Sequence, residues 1–364
     1  MKHTKKWIGI AAALFVFTAC QKNNGGGSSN DNSNHVYSMT NSGKGNFLVD
    51  YRRADNGQLT YDSSYYTGGV GTGAGLGSQG SVIITSNGFI LVVNAGSNSI
   101  SSFKVANRGP VLQSTVNSGG TTPISITAYN DVVFVLNSGG AGNISGFNLS
   151  ANGRLSAIAN STYPLSSANA GPAEIAFVND GNSLVVTEKN NNRITSYTSN
   201  GTMHTLSSAN TTPFGFAAGG NGNIYVSEAA GGAAGASTVS SYHINNNGAI
   251  KLVTGPVSAN QTSACWVTLT GDGKYAFASN TASNTVSTFN INASSGNINV
   301  NSAVAATTGK SPADAALSNN SQYLYVLTPG SNTMNCYKVV SNGSLTSIQT
   351  ITDIPTAGVG LAAK

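Results

Sequence analysis

The chain has 364 residues, only 8% of them Asp, Glu, Lys or Arg, with 44 Gly and a formal net charge of +5. That length can bury a core as one large β domain or two ordinary ones, and the abundance of Gly, Ser, Thr and Asn favours short strands and tight turns over helices. Lys2, Lys5 and Lys6 supply three of the 17 bases, leaving 14 against 12 acids beyond them; with no Lys/Arg cluster interleaved with aromatics, nucleic-acid binding is excluded.

The chain opens on a basic "MKHTKK" and an apolar "WIGIAAALFVFTA". These predict a signal peptide over residues 1–19, too short for a confident transmembrane helix. It ends in "FTAC", which resembles a bacterial lipoprotein cleavage box with Phe17 where Leu is usual. Cys20 is therefore the expected lipidation site, anchoring the protein to a membrane without spanning it. The expected location is the cell envelope, extracytoplasmic and at the outer membrane; ordinary cleavage giving a soluble secreted protein is the alternative. Residues 20–34, rich in Gly, Ser and Asn, are expected to form a flexible tether, with His35 read as part of it.

From there the chain repeats. A short apolar strand, a Gly or Asn turn, a second apolar strand, a loop and a third strand ending in an aromatic recur, as in "GSVIITSNGFILVVNAGSNSISSF" from Gly80 and "PAEIAFVNDGNSLVVTEKNNNRITSY" from Pro172. Six copies begin at Gly80, Pro123, Pro172, Pro213, Ala264 and Pro312, at spacings of 41 to 51 residues, close to the roughly 40–50 of propeller blades. Turns such as "SNG", "NDG" and "GDG" suit tight hairpins. A seventh copy is split: "VYSMTNS" and "FLVDYRR" supply second and third strands, and the C-terminal "GVGLAA" a first strand. The prediction is an all-β, seven-bladed β-propeller over residues 35–364, closed by pairing the two ends of the chain in one blade.

Register then places residues. One channel-lining position of the first strands falls on Ser81, Ser125, Glu174, Gly215, Trp266, Asp314 and Gly360, and the second strands end at Asn41, Asn94, Asn137, Glu188, Glu228, Asn280 and Thr328. Both positions lie on one face, where propellers commonly bind ligands. Asn at a strand end is explained by turn formation, but Glu188 and Glu228 are not. With Glu174 they could form a carboxylate cluster for a cation, for acid–base work or for sugar hydroxyls; Lys189 and Arg193 could instead neutralise them as an ion-pair network. Trp266 could stack on a flat ligand or plug the channel by packing. Asp314 joins Glu174 as a cation- or water-binding candidate. The Gly-rich stretches Thr67 to Gly80 and Glu228 to Ser237 enter on the same face and fit backbone close to a ligand or plain flexibility; the first has no helix or Lys-Ser/Thr pair to bind phosphate. His204 and His243 fall on outer strands, and no Ser-His-acid set, zinc-ligand spacing or Cys-His pair exists. Cys265 and Cys336 fall on different strands of adjacent blades, which favours buried thiols over a disulfide.

At "GPAEIAFVNDGNSLVVTEKNNNRITSY" the chain resembles the seven-bladed propeller lactonases, the group of bacterial 6-phosphogluconolactonases and fungal-type carboxymuconate lactonizing enzymes. Phrases such as "LVVTEK", "TPFGFA" and "SEAAGGAAGAS" resemble its secreted bacterial branch. Where that family has Gly-Pro-Arg-His followed by a strand ending in Glu, this chain keeps Glu188 but has Ala173 at the Arg and Glu174 at the His; a further family His falls near Pro123 to Ser125, where there is none. The resemblance implies a lactonase-like hydrolase or cycloisomerase acting on a sugar-derived or carboxylated lactone. Glu188, Glu174 and Glu228 would be the acid/base residues, and Arg193, Trp266 and Asp314 the substrate contacts. No cofactor is expected, with room left for a divalent cation at the channel mouth. The expected partners are a small lactone or glycan and, through the lipid alone, a membrane; the expected state is a monomer. The competing reading is a non-catalytic envelope propeller that binds glycan, peptide or protein.

Overall fold

A computed structural model describes residues 34–364. The expected signal peptide, Cys20 and the expected tether up to residue 33 lie outside the described residues.

The strands assemble into seven four-stranded antiparallel sheets. Blades two to seven take consecutive strands over residues 82–117, 123–164, 172–207, 213–258, 264–307 and 315–351. Blade one has the order Val359–Ala363, His35–Met39, Phe47–Arg53 and Leu59–Tyr66, so the C-terminal strand is its innermost member. Antiparallel pairs Val36↔Ala363, Tyr37↔Ala362 and Ser38↔Leu361 close the ring. His35 is not tether: it heads the second strand of this blade, and its Nδ1 lies 2.6 Å from Asp50 Oδ1.

The burial pattern explains why these segments are strands. Second strands such as Phe89–Asn94, Ser183–Glu188, Asn223–Glu228 and Tyr323–Thr328 are buried along their whole length. Neighbouring blades cover both of their faces, so consecutive apolar residues fill the middle of each strand and a polar one stands at its end. Outer strands such as Met203–Ser207 alternate between exposed and half-buried because one face meets water. Apolar seams fill the gaps between blades: Val185, Ile194, Phe216 and Tyr242 pack blade four on blade five, and Tyr51, Tyr325 and Met334 pack blade one on blade seven. Gly57 shows how tightly blades meet. It has φ +83°, and a Cβ there would stand 2.1 Å from the Tyr323 ring, so no other residue fits. Cys265 and Cys336 are both buried free thiols.

Two ends of the channel follow from this topology. One, the loop side, carries the starts of the first strands and the ends of the second strands. The other, the turn side, carries the hairpin turns between first and second strands.

Candidate functional site

Six of the seven second strands end on the residue that register predicts, from Asn94 to Thr328. Their side chains do one shared job. Asn94 and Asn280 are buried and each donates, at 2.8 Å, to a hydroxyl on the third strand, Ser101 and Ser287 respectively. Bonds to third-strand side chains, rather than to nearby backbone, thus dominate here, and only Asn41, just past its strand, has a left-handed backbone (φ 46°).

Glu188 and Glu228 occupy the same slot in the same way. Glu188 accepts bonds from Thr195 Oγ1 (3.1 Å), Ser166 N (3.0 Å), Asn191 Nδ2 (2.8 Å) and the Ser166 hydroxyl. Glu228 accepts bonds from Thr238 (2.6 Å), Ser240 (2.7 Å) and Tyr242 (2.7 Å). The longer side chain reaches donors that Asn cannot, and both carboxylates are fully buried among neutral hydroxyls and amides. Among the described residues neither Lys189 nor Arg193 forms an ion pair with them. Arg193 bonds Thr205 on the outer strand at 3.0 Å, and Lys189 Nζ bonds Gly77 O at 2.6 Å and lies 4.8 Å from the Phe214 ring centre. Burial lowers the Lys189 amine to about 8.

The channel-lining slot behaves differently. The innermost strand of each blade presents backbone amides to the channel, and each needs an acceptor. Ser125 Oγ accepts Ile175 N at 3.2 Å, Glu174 Oε2 accepts Phe216 N at 2.5 Å, and Asp314 Oδ2 accepts Gly360 N at 2.9 Å. Each thus bonds the next blade in the ring. Glu174 and Asp314 also face a shared cavity of about 530 Å³ that opens on the turn side, walled by Thr85, Ser86, Thr268, Asn319 and Lys364. Burial holds Glu174 well above the usual carboxylate range, and the charge of Asp314 adds to that, against the Phe216 amide. Burial likewise raises Asp314 to about 7, although the backbone amides of Gly360 and Gly80 pull it down.

The loop side, where ligand binding was expected, is closed at the channel by the Gly-rich strap Thr67 to Gly80. Ser78 Oγ donates to Ile124 O (2.8 Å) and Gln79 N to Ala173 O (3.1 Å). The Gln79 amide then donates to Phe216 O (3.1 Å) and Val267 O (2.9 Å) and accepts from Val267 N (3.0 Å). Gly215 leaves the space: a Cβ there would stand 2.2 Å from Gln79 Oε1. Trp266 donates its indole N–H to Ser78 O (3.0 Å) and packs on Phe214 with ring centres 5.0 Å apart, so of its two expected roles it fills the packing one.

The six acid/base and contact candidates therefore separate. Glu174 and Asp314 meet in the turn-side cavity, Trp266 anchors the strap on the other side, and Glu188, Glu228 and Arg193 line neither place. Gln79 went unread in the sequence, although Gly215, small in a slot that every other blade except the split one fills with Ser, Glu, Trp or Asp, was the trace of it. Among the described residues no group of three or more His, Cys, Asp or Glu is placed to hold a metal ion.

Residues 235–361 match the family model "Lactonase, 7-bladed beta-propeller". The matched span includes Trp266 and Asp314 and excludes Glu174. No curated protein matches the chain in sequence. Solved structures share the fold: a candidate 6-phosphogluconolactonase of Bacteroides fragilis is 17% identical, with a TM-score of 0.69, over 92% of this chain and 99% of its own. The periplasmic gluconolactonase of Pseudomonas aeruginosa is 13% identical, with a TM-score of 0.70, over 89% of this chain and 97% of its own. A Lactobacillus plantarum protein is 16% identical, with a TM-score of 0.71, over 90% and 98%.

Proposed function

We propose that this lactonase-type propeller hydrolyses an uncharged, sugar-derived lactone in the turn-side cavity, with Asp314 and Glu174 as base and acid. The observation that carries the reading is two buried carboxyls, each tied to a neighbouring blade by a backbone amide and both facing one cavity. Environments that hold two carboxyls at different proton affinities divide the roles of acid and base. Ionised Asp314 takes a proton from water as its oxygen attacks the lactone carbonyl. The ring C–O bond then breaks, and the departing oxygen takes the proton of Glu174. The hydroxy acid product loses its carboxyl proton to solvent, Asp314 passes its proton back to Glu174, and the product carboxylate is repelled by ionised Asp314, which favours release.

An uncharged substrate fits the wall. Lys364 is the one cation among the cavity's lining residues, and Ala173 stands where the resembling family has Arg. Asp314→Asn and Glu174→Gln should each lower kcat by about 100-fold or more on neutral aldonolactones. Wild-type rates in both variants, or no turnover across such a panel, would refute the proposal.

We propose further that the protein is lipid-anchored through Cys20 at the cell envelope, a reading supported by the "FTAC" box after the apolar leader. Labelled palmitate should be incorporated into the wild type and not into Cys20→Ala; label in both would overturn it.

A further inference from the structure

We infer that Gln79 is a positioning residue: it shuts the loop-side end of the channel and fixes the backbone around Glu174 and Asp314, so that ligand enters from the turn side alone. The inference rests on the turn-side cavity being the working site.

Gln79 reaches three blades at once. Its backbone N–H goes to Ala173 in blade four, and its side chain goes to Phe216 in blade five and Val267 in blade six. Both amide hydrogens and the amide oxygen are used, a pattern that only a primary amide supplies: Glu lacks the donors and Asn is a methylene short. Phe216 is consequently held on both sides, its carbonyl by Gln79 and its N–H by Glu174. The backbone amide of the next strap residue, Gly80, lowers the proton affinity of Asp314, and its carbonyl accepts Ile126 N at 2.9 Å. Two consecutive residues thus set the surroundings of both carboxyls, one directly and one through Phe216.

The strap is bonded along much of Thr67 to Ala74 and again from Gly77 to Gly80, and Leu76 packs on two apolar seams, so that its exposed tip is short. Asn41 Oδ1 accepts Thr72 N at 3.1 Å near its start, and Trp266 and Lys189 hold Ser78 and Gly77 at its finish. Ala74 and Gly75 between are exposed, and a Cβ at Gly75 would meet nothing within 4 Å.

The test uses the full chain with Trp7→Phe, leaving Trp266 as the one tryptophan. Gln79→Ala is compared with the near-isosteric Gln79→Glu, which covers a failure of the smaller variant to fold. Opening the loop side should raise acrylamide quenching of Trp266 by about threefold. It should also flatten the fall of melting temperature between about pH 4 and about pH 8, because water relieves the burial that holds the Asp314 proton. Glu174 and Lys364 are the other charged groups facing Asp314 in that cavity, and they are unchanged in both variants. Quenching and pH dependence both equal to the parent's would overturn the inference. Both readouts are independent of turnover. A parent that hydrolyses no lactone while both readouts move refutes the proposed hydrolysis and keeps the positioning role; an active parent in which neither moves does the reverse.

Discussion

Replacing Asp314 by Asn should stabilise the protein, and only above acidic pH. Asp314 is 3% exposed, and its carboxyl sits at about 7 against an ordinary 3.8 because of burial. The folded state therefore holds this proton more tightly than the unfolded chain does. Stability is intact below about pH 3.8, falls as pH rises from there to about 7, and stays reduced above. At about 1.4 kcal/mol per pH unit, the interval from 3.8 to about 7 sets a ceiling of about 4 kcal/mol. Asn keeps an oxygen for the Gly360 amide and carries no charge. It also removes the repulsion that raises Glu174, an effect of the same sign. Urea denaturation of wild type and Asp314→Asn at about pH 4 and about pH 8 measures this. The variant should match wild type at the lower pH and exceed it at the higher. A constant difference across pH, or a variant less stable at about pH 8, would refute the burial argument.

Three further outcomes are expected. Glu228→Ala strands the hydroxyls of Thr238, Ser240 and Tyr242, and should cost about 3–5 kcal/mol in chemical denaturation without changing turnover per folded molecule; a loss of kcat at full stability would instead return this carboxylate to the chemistry. After reductive ¹³C-methylation, the Lys189 signal should titrate near 8, lowered by burial, apart from the other lysines; titration above about 10 would contradict the burial assigned to it. Gly215→Ser puts its Cβ 2.2 Å from Gln79 Oε1, so it should expose Trp266 to quencher as Gln79→Ala does, and unaltered quenching would show that the strap has room to spare.

Much of the architecture was legible because it is local. Turn glycines and alternating apolar strands recur with the blade period, so the strand ends at Asn94, Glu188 and Glu228 could be found by register alone. Register also put Glu174 and Glu188 on one face as equal candidates, since it gives the position of a Cα and not the partners of a side chain. Folding separated them: Glu188 turns into its blade to bond Thr195 and Asn191, while Glu174 lines the channel and bonds Phe216 of the next blade.

The sequence by itself determined the blade count and the slots where polar residues end each second strand, because each depends on neighbours a few residues away, and it determined the split blade because the repeat leaves the missing first strand at the far end of the chain. Only the tertiary structure decided which end of the channel is open. Gln79 takes its partners from residues 137 and 188 positions along the chain, and the proton affinity of Asp314 follows from the protein packed around it. Neither long-range contact nor burial leaves a periodic mark, so both became visible only when the ring had closed around the strap.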